Sequence, residues 1–227
     1  MKHARRVLNW AGEELVLLGS GALHWPRVNT VLVADLHLGK EAVFRARGLP
    51  IPEGPGTDTL HRLEVDLAQT GASRLVILGD LIHGPEGWTP EVRELLVEWK
   101  RRWSRTLGDP HPEAILIRGN HDRMAGDPPS SLGIQVREEG WKLGPLALHH
   151  EPVSDSADSV LMGHLHPVVR LRGPGDRMRL RCFVVGSRRI VLPAFGTFTG
   201  GAPFDPKDED RIFAIGEGQV VEIPVRP

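Results

Sequence analysis

The chain has 227 residues and a formal net charge of −1 at pH 7, and its 40% hydrophobic and 25% charged residues exclude a disordered chain and a general nucleic-acid coat protein. Its one cysteine, Cys182, excludes a disulfide framework and a cysteine-rich zinc module, and no apolar run approaches the roughly 20 residues of a transmembrane helix. We therefore expect one folded cytoplasmic domain over residues 1–227 that is neither inserted in a membrane nor exported.

The first half of the chain alternates predicted strands and helices. Leucines at helical spacing predict one helix over residues 57–71, and a second helix is capped by Thr89 and keeps its apolar period as far as Trp103. Short apolar runs rich in branched residues predict three buried strands, at residues 28–34, 74–78 and 114–117. The order of these elements is β-α-β-α-β.

After about residue 130 the pattern changes to short strands in succession. A β-α-β-α-β half followed by a mostly antiparallel half predicts an α/β fold. In this fold two mixed β-sheets pack together and are flanked by helices, as an α-β-β-α sandwich in a single domain. The candidate strands of the second half are residues 134–138, 141–149, 159–162, 168–172, 179–185, 188–192, 211–215 and 219–223.

Residues of metal-binding type follow most of the predicted strands. Because the loops at strand ends of an α/β sheet converge on one crevice, we expect these residues to form one site. Glycines at positions 79, 119 and 163 are expected to let the backbone turn sharply before the ligands. The segments, in chain order, are Asp35-Leu36-His37, Gly79-Asp80, Gly119-Asn120-His121-Asp122, His149-His150 and Gly163-His164-Leu165-His166.

The donor types favour divalent ions of intermediate hardness. Carboxylate, imidazole and amide oxygen without thiolate suit Mn2+, Fe2+ or Zn2+. Seven candidate ligands are too many for one ion and fill two coordination shells only if one carboxylate bridges; two ions about 3.5 to 4 Å apart are the standard arrangement for phosphoryl-ester hydrolysis. The candidates are Asp35, His37, Asp80, Asn120, His164, His166 and one of His149 and His150.

The ordered motifs resemble the signature of the calcineurin-like metallophosphoesterase superfamily. The signature D-x-H, G-D, G-N-H-D, a lone His and G-H-x-H occurs here as DLH, GD, GNHD, HH and GHLH, across about residues 28–172. The resemblance implies two ion sites that share one bridging carboxylate. One site is formed by Asp35, His37, Asp80 and His166, and the other by Asp80, Asn120, His164 and the lone histidine.

The resemblance also implies catalytic roles within the GNHD motif. His121 would face the phosphoryl group without binding metal and would stabilise charge or protonate the leaving oxygen. Asp122 would orient His121 or its loop. The lone histidine falls in the sequence His-His-Glu-Pro, where the His-x-Pro form of the motif favours His150 and the end-of-strand position would select His149.

Other residues near the motifs have two interpretations each. Lys40, Arg45 and Arg47 lie on a predicted helix one turn after the first ligand pair, where they either bind a substrate phosphate or form a solvated face. His83 either supports the ligands or, as we favour, is a structural loop histidine. The segment around Phe198 either packs in the core, which we favour, or forms a lip that stacks a base or sugar.

Further similarity narrows the resemblance to bacterial metallophosphoesterases associated with a DNA ligase and a DNA helicase in the damage response. It is carried by residues 35–52, by GDLIH at 79–83 and by LPAFGTFTGG at 192–201. The resemblance implies a nucleic-acid phosphodiester, DNA first, as substrate, two ions with Mn2+ favoured over Fe2+ or Zn2+, and the ligase and helicase as partners. The alternatives are an enzyme acting on a small nucleotide or other small phosphoester, and a non-catalytic interaction scaffold.

Overall fold

The first β-sheet is antiparallel along its first four strands and parallel from the fourth strand onward. The computed structural model describes residues 4–51, 54–153, 156–173, 176–204 and 206–224, so Pro52, at the end of the 35–52 run, lies outside it. The strands pair in chain order. They are β1 (Arg5–Trp10), β2 (Glu13–Leu18), β3 (Leu23–Trp25), β4 (Thr30–Ala34), β5 (Arg74–Leu78), β6 (Glu113–Ile117) and β7 (Ile134–Arg137).

Strands β1 to β3 precede the predicted β-α-β-α-β unit, and sequence reasoning missed them. The β1–β2 hairpin turns at Ala11 and Gly12, which have φ of 51° and 77°. Hairpin turns with positive φ at both central residues usually carry Asn-Gly or Asp-Gly, so an Ala-Gly pair gives only a weak signal in the sequence. The predicted strands that follow are confirmed as β4, β5 and β6.

The second β-sheet combines a parallel part with antiparallel hairpins. Strands β9, β10 and β13 run parallel to one another. The strand predicted over residues 141–149 is wrong as a single element, because a turn at Gly144, with φ +56°, divides it into two strands. The strands are β8 (Trp141–Leu143), β9 (Leu146–Leu148), β10 (Ser159–Met162), β11 (Pro167–Gly173), β12 (Asp176–Val185), β13 (Arg189–Val191), β14 (Ala202–Pro203), β15 (Arg211–Gly216) and β16 (Gln219–Ile223).

Four α-helices occur in the described chain, and the sequence predicts the two long ones and the short helix that begins at Lys40. In the longest helix, the Thr89 hydroxyl accepts a hydrogen bond from the Val92 N–H, which makes Thr89 the N-cap as expected. None of the described helices is both long enough and apolar enough to cross a membrane. The helices are α1 (Lys40–Ala46), α2 (Pro55–Thr70), α3 (Pro90–Leu107) and α4 (Asn120–Ala125).

Two large apolar clusters form the core of the protein. One joins α2 and α3 to the first sheet and includes the fully buried Trp99 and Trp103. The other joins the two sheets, with residues such as Leu78 and Phe183 meeting between them. Burial of apolar surface in these two layers stabilises the predicted arrangement of two packed mixed sheets flanked by helices, and this fold class is confirmed.

The parallel parts of the two sheets end close to each other. Ala34, at the end of β4, forms a parallel bridge with Ala194, which follows β13. The Phe195 N–H donates to the Ala34 carbonyl at 2.8 Å, and the Gly196 N–H donates to the Asp35 carbonyl at 3.1 Å. Loops from both sheets therefore meet at one edge of the molecule.

Candidate metal centre

The seven side chains favoured as metal ligands lie together at the edge where the two sheets meet. The first sheet supplies the loops after β4 and β5 and the start of α4 after β6, and the second sheet supplies the loops after β9 and β10. The convergence expected for strand-end loops is therefore present in the structure. The side chains are those of Asp35, His37, Asp80, Asn120, His150, His164 and His166.

One half of the cluster surrounds the Asp35 carboxylate. His166 Nε2 lies 3.2 Å from Asp35 Oδ1. His37 Nε2 lies 3.6 Å from Asp80 Oδ2. Ligand atoms of Asp35, His37 and His166 all lie within 4.8 Å of one another, so these side chains direct their donor atoms at one small volume.

The other half of the cluster surrounds the side-chain oxygen of Asn120. This oxygen lies 2.9 Å from His150 Nε2 and 3.1 Å from His164 Nδ1. His150 Nε2 is also 3.4 Å from Asp80 Oδ1. Asp80 therefore has one carboxylate oxygen on each side of the cluster, which is the position that a bridging ligand needs.

The hydrogen bonds of His150 fit a cation. Its Nδ1 lies 3.0 Å from the Leu78 carbonyl, an acceptor, so Nδ1 carries the proton. In a neutral imidazole Nε2 then has a lone pair, and this lone pair faces Asn120 Oδ1, which is also an acceptor. His164 Nδ1 lies 3.1 Å from both atoms, and a cation among these three groups would take a lone pair from each of them.

Other buried groups of the cluster also lack partners that a cation would provide. His37 Nε2 is buried and has no hydrogen-bond partner among the described residues. Asp35 and Asp80 are buried, and no lysine or arginine in the described part of the chain forms an ion pair with either. Burial, and next the Asp35 charge, raise the pKa of Asp80 to about 8. The donor set, all imidazole, carboxylate and amide oxygen, fits divalent metal ions.

Five of the seven clustered residues have a left-handed backbone, which residues other than glycine rarely adopt. Each such residue costs about 1–3 kcal/mol and persists only where its surroundings impose it. The residues with this strained backbone are the candidate metal donors, and no feature of the sequence predicts their backbone conformation. The φ angles are 56° for Asp35, 46° for His37, 55° for Asp80, 66° for His164 and 44° for His166.

The three glycines before the ligands serve two different purposes. Gly79 has φ of +77°, as expected for a sharp turn. Gly119 and Gly163 have φ angles outside the left-handed region, although the chain turns at both: Gly119 is the N-cap of α4, and the Leu165 N–H donates to the Gly163 carbonyl at 2.8 Å. A Cβ on Gly119 would lie 2.3 Å from Asp80 Oδ1, and one on Gly163 would lie 2.7 Å from the Ala34 Cβ. Gly79 leaves space as well, because a Cβ there would lie 2.1 Å from His150 Nδ1.

The two candidate positions for the lone histidine are clearly separated. His150 is completely buried and belongs to the cluster. His149 is partly exposed, and its ring lies beside Gly140. The side chain of Glu139, which sequence reasoning missed, accepts hydrogen bonds from the backbone N–H groups of His150 and Glu151 at 3.0 and 2.7 Å. It thereby fixes the loop that carries His150, although nothing in its sequence position signals this.

Asp122 connects two loops of the site. Its carboxylate accepts hydrogen bonds from the backbone N–H groups of Asp80 at 2.7 Å, Leu81 at 3.0 Å and Gly119 at 2.9 Å. These contacts connect Asp122 to the loop that carries Asp80 and to the loop before α4 that carries His121. Asp122 therefore acts on the position of other residues and is itself buried away from the surface.

His121 lies beside the cluster with one ring nitrogen fixed. Its backbone N–H donates to Asp80 Oδ1 at 3.0 Å, and its Nδ1 lies 2.5 Å from the His83 carbonyl. The ring stacks on His83 with 4.7 Å between centroids and lies perpendicular to His37 at 4.9 Å. Because Nδ1 donates to a carbonyl, Nε2 is the nitrogen left for other partners.

His83 directly contacts His37, one of the candidate metal ligands. Its Nδ1 lies 3.1 Å from Nδ1 of His37, on the side of the ring away from the unpartnered Nε2. Contacts of this kind orient metal-binding histidines. The sequence favoured a structural loop role for His83, and the only signal for this contact was its position three residues after Asp80.

The three cations considered for substrate binding lie in different places. Lys40 Nζ is 5.7 Å from the Phe44 ring centroid and 5.9 Å from that of Phe198. Burial, and next the Lys40 charge, lower the pKa of His83 to about 4. Arg45 donates to the Ile51 carbonyl at 3.2 Å. Arg47 lies just past the end of α1 and not on the helix. Lys40 is thus the cation directly packed beside the site.

The two aromatic residues of the 192–201 segment, Phe195 and Phe198, differ in their burial. Phe195 is completely buried, as expected for a core residue. Phe198 is 36% exposed and packs edge-on against Phe44 with 5.8 Å between ring centroids. Phe44 in turn lies 6.1 Å from the His83 ring. Only Phe198 is therefore placed to form a lip.

Comparison with known proteins agrees with this geometry. The family described as calcineurin-like phosphoesterase matches residues 28–152. A solved structure, the Pseudomonas putida nuclease MPE, is 40% identical in sequence and superimposes with a TM-score of 0.82, over 97% of this chain and 100% of that one. No curated protein matches the sequence. The chain belongs to the calcineurin-like phosphoesterase family and is a metal-dependent phosphoesterase.

Proposed function

We propose that this phosphoesterase is a binuclear nuclease that hydrolyses phosphodiester bonds in DNA. The observation that carries the proposal is the Asp80 carboxylate, which directs one oxygen to each of two groups of donor atoms. A nucleic-acid substrate is supported by the 40% identity to the Pseudomonas putida nuclease. One domain over residues 1–227 carries the activity.

Each half of the cluster would hold one divalent ion, Mn2+ in the first place, with Fe2+ or Zn2+ as the alternatives. Such ions supply Lewis-acid polarisation of the phosphoryl oxygen and a lowered pKa for an attacking water. The first ion would be held by Asp35, His37, Asp80 and His166, and the second by Asp80, Asn120, His150 and His164.

The chain's own residues supply positioning and a proton. The His83 carbonyl fixes Nδ1 of His121, which directs Nε2 at the phosphoryl group to stabilise charge or protonate the leaving oxygen. Asp122 holds the loops of Asp80 and Gly119 together and so positions the bridging carboxylate. Lys40 is assigned to the substrate phosphate, with Arg45 and Arg47 farther along the same segment.

We also place this activity in DNA repair, with a DNA ligase and a DNA helicase as partners. The support for this step is the resemblance of residues 35–52, 79–83 and 192–201 to the repair-associated branch of the superfamily. Co-purification of the tagged chain with a ligase or helicase from cells exposed to DNA damage tests it, and recovery of neither partner would contradict the assignment.

The experiment for the proposed function compares three substrates. The chain is stripped with EDTA, reloaded with Mn2+, Fe2+ or Zn2+, and assayed on labelled single-stranded DNA, on nicked duplex DNA and on an aryl phosphodiester. We expect metal-dependent cleavage of DNA and of the aryl ester. Hydrolysis of the aryl ester without DNA cleavage would favour the small-phosphoester alternative. Absence of all hydrolysis together with absence of metal binding would favour the scaffold.

A further inference from the structure

The hairpin formed by β11 and β12 begins one residue after His166 and carries several arginines. In its antiparallel register Arg170 lies opposite Arg179, and Val168 lies opposite Arg181. Residues directly opposite each other, and residues two apart along a strand, share a face of the sheet. Arg170, Arg179 and Arg181 therefore lie on one face, which we call the arginine face.

In the described part of the chain, no carboxylate lies close enough to the arginine face to form an ion pair with it. Like charges directly opposite each other destabilise a strand pair, so the Arg170–Arg179 pair does not help the hairpin to form. Among the described residues, none of the three arginines forms an ion pair. Elsewhere in the molecule, arginines such as Arg118 and Arg211 do pair with acidic side chains. Arg170 and Arg179 are both exposed.

The arginine face adjoins the metal centre. Arg179 donates a hydrogen bond to the Gly201 carbonyl, and the next residue, Ala202, donates its N–H to the His166 carbonyl at 3.0 Å. A Cβ on Gly201 would lie 2.2 Å from Cγ1 of Val168, which confirms that this face of β11 is turned toward the same segment.

Arg181 connects the face to the first sheet. Its guanidinium donates to the Ala194 carbonyl at 3.0 Å, and Ala194 bridges Ala34, the residue before Asp35. The arginine face therefore begins beside the loops of the candidate metal centre and extends away from them along the β11–β12 hairpin. Arg170 lies four residues beyond His166, about 13 Å along an extended strand.

We propose that the arginine face binds the phosphate backbone of a nucleic acid on one side of the scissile phosphate, an inference that rests on the proposed nuclease function. Guanidinium groups form bidentate, charge-assisted hydrogen bonds with phosphate and remain charged at all working pH values. The chain's net charge is −1, so attraction of a polyanion depends on a local surface such as this one. A small phosphodiester bound at the metal centre does not extend about 13 Å along a strand to Arg170.

The test is a double variant, Arg170→Ala with Arg179→Ala, compared with a matched control, Arg101→Ala with Arg105→Ala. The control removes the same number of exposed arginines from α3, where both pair with Glu98. Binding of a fluorescent single-stranded oligonucleotide to the full-length, EDTA-treated protein is measured by anisotropy at several salt concentrations, and aryl phosphodiester hydrolysis is measured with Mn2+.

We expect the arginine-face variant to bind the oligonucleotide at least about tenfold more weakly. The slope of log affinity against log salt should fall by about 0.7 for each lost phosphate contact. Its aryl ester hydrolysis and the control variant's affinity should match the wild type. If the arginine-face variant keeps the affinity and the salt slope of the wild type, the inference is overturned. The proposed nuclease function would then still stand, provided that the protein hydrolyses the aryl ester and DNA. A loss of aryl ester hydrolysis as large as the loss of oligonucleotide affinity would also overturn the inference, because such a loss indicates a structural role for the arginines.

Discussion

Individual residues of the candidate metal centre combine buried carboxylates with an unfavourable backbone conformation. Asp35 and Asp80 are buried close together, and both have left-handed backbones. Such positions cost folding free energy, which the surrounding hydrogen bonds offset, for example the His164 N–H donated to Asp35 at 3.0 Å. Asparagine, aspartate and histidine tolerate this backbone better than most residues, so the residue types that bind metal are also types that accept the strain.

Gly119→Ala is expected to weaken Mn2+ binding at least about tenfold, since the new Cβ would lie 2.3 Å from Asp80 Oδ1 and displace the carboxylate. Calorimetric titration of Mn2+ measures the effect. Gly200→Ala is the matched control, because no heavy atom lies within 4 Å of a Cβ at that position. Equal Mn2+ affinity in Gly119→Ala and the wild type would show that Gly119 does not protect the position of Asp80.

His121→Ala is expected to lower turnover of the aryl ester about 10²- to 10⁴-fold and to leave the amount of bound metal unchanged, because Nε2 of His121 acts on the substrate in our account. Steady-state kinetics and elemental analysis on the same preparation measure the two quantities. His111→Ala, at an exposed site outside the cluster, is the control. A fall in bound metal for His121→Ala would mean that the residue is a ligand.

At the scale of elements, the site depends on contacts between loops that follow different strands. Asp122 in α4 binds the backbone after β5, and Glu139, between β7 and β8, binds the backbone after β9. These contacts set the relative position of donors that are distant in the sequence. They are carried by single acidic residues whose partners are backbone N–H groups.

Asp122→Asn is expected to destabilise the fold by about 1–3 kcal/mol, because one of the two oxygens that accept N–H groups becomes a donor. Metal binding should weaken about 10- to 100-fold as the Asp80 loop loosens. Urea unfolding and Mn2+ titration measure the two effects, with Asp158→Asn, at a partly exposed residue that pairs with Lys142, as the control. Normal stability and normal Mn2+ affinity together would remove the positioning role of Asp122.

Elements with strong local signals could be predicted from the sequence, and those with weak signals could not. Helix α3 carries Thr89, Pro90 and a regular apolar period, and its start is as predicted. Helix α4 has only six residues, which is too short for a period to emerge. Strands β8 and β9 were read as one because the sequence does not reveal that Gly144 has a positive φ.

At the scale of the whole molecule, the site exists because two sheets bring their parallel strand ends to one edge. Asp35 and Asp80 follow strands of the first sheet, and His150, His164 and His166 follow strands of the second. The motifs predicted six of the seven clustered residues outright and left the seventh between His149 and His150, and they did not predict the contact of His83 with His37. Motif spacing does not encode side-chain angles or long-range packing. It therefore could not predict which donor atoms face each other, or that the two Asp80 oxygens face different histidines.

We propose above that one pocket binds two divalent ions that share Asp80. The most direct measurement is equilibrium dialysis of the EDTA-stripped chain against Mn2+, followed by elemental analysis of the wild type and of Asp80→Asn. We expect about two ions per wild-type chain and a clear loss in Asp80→Asn, because the two oxygens of Asp80 face both groups of donors. One ion or none in the wild type, or two ions retained in Asp80→Asn, would contradict this proposal.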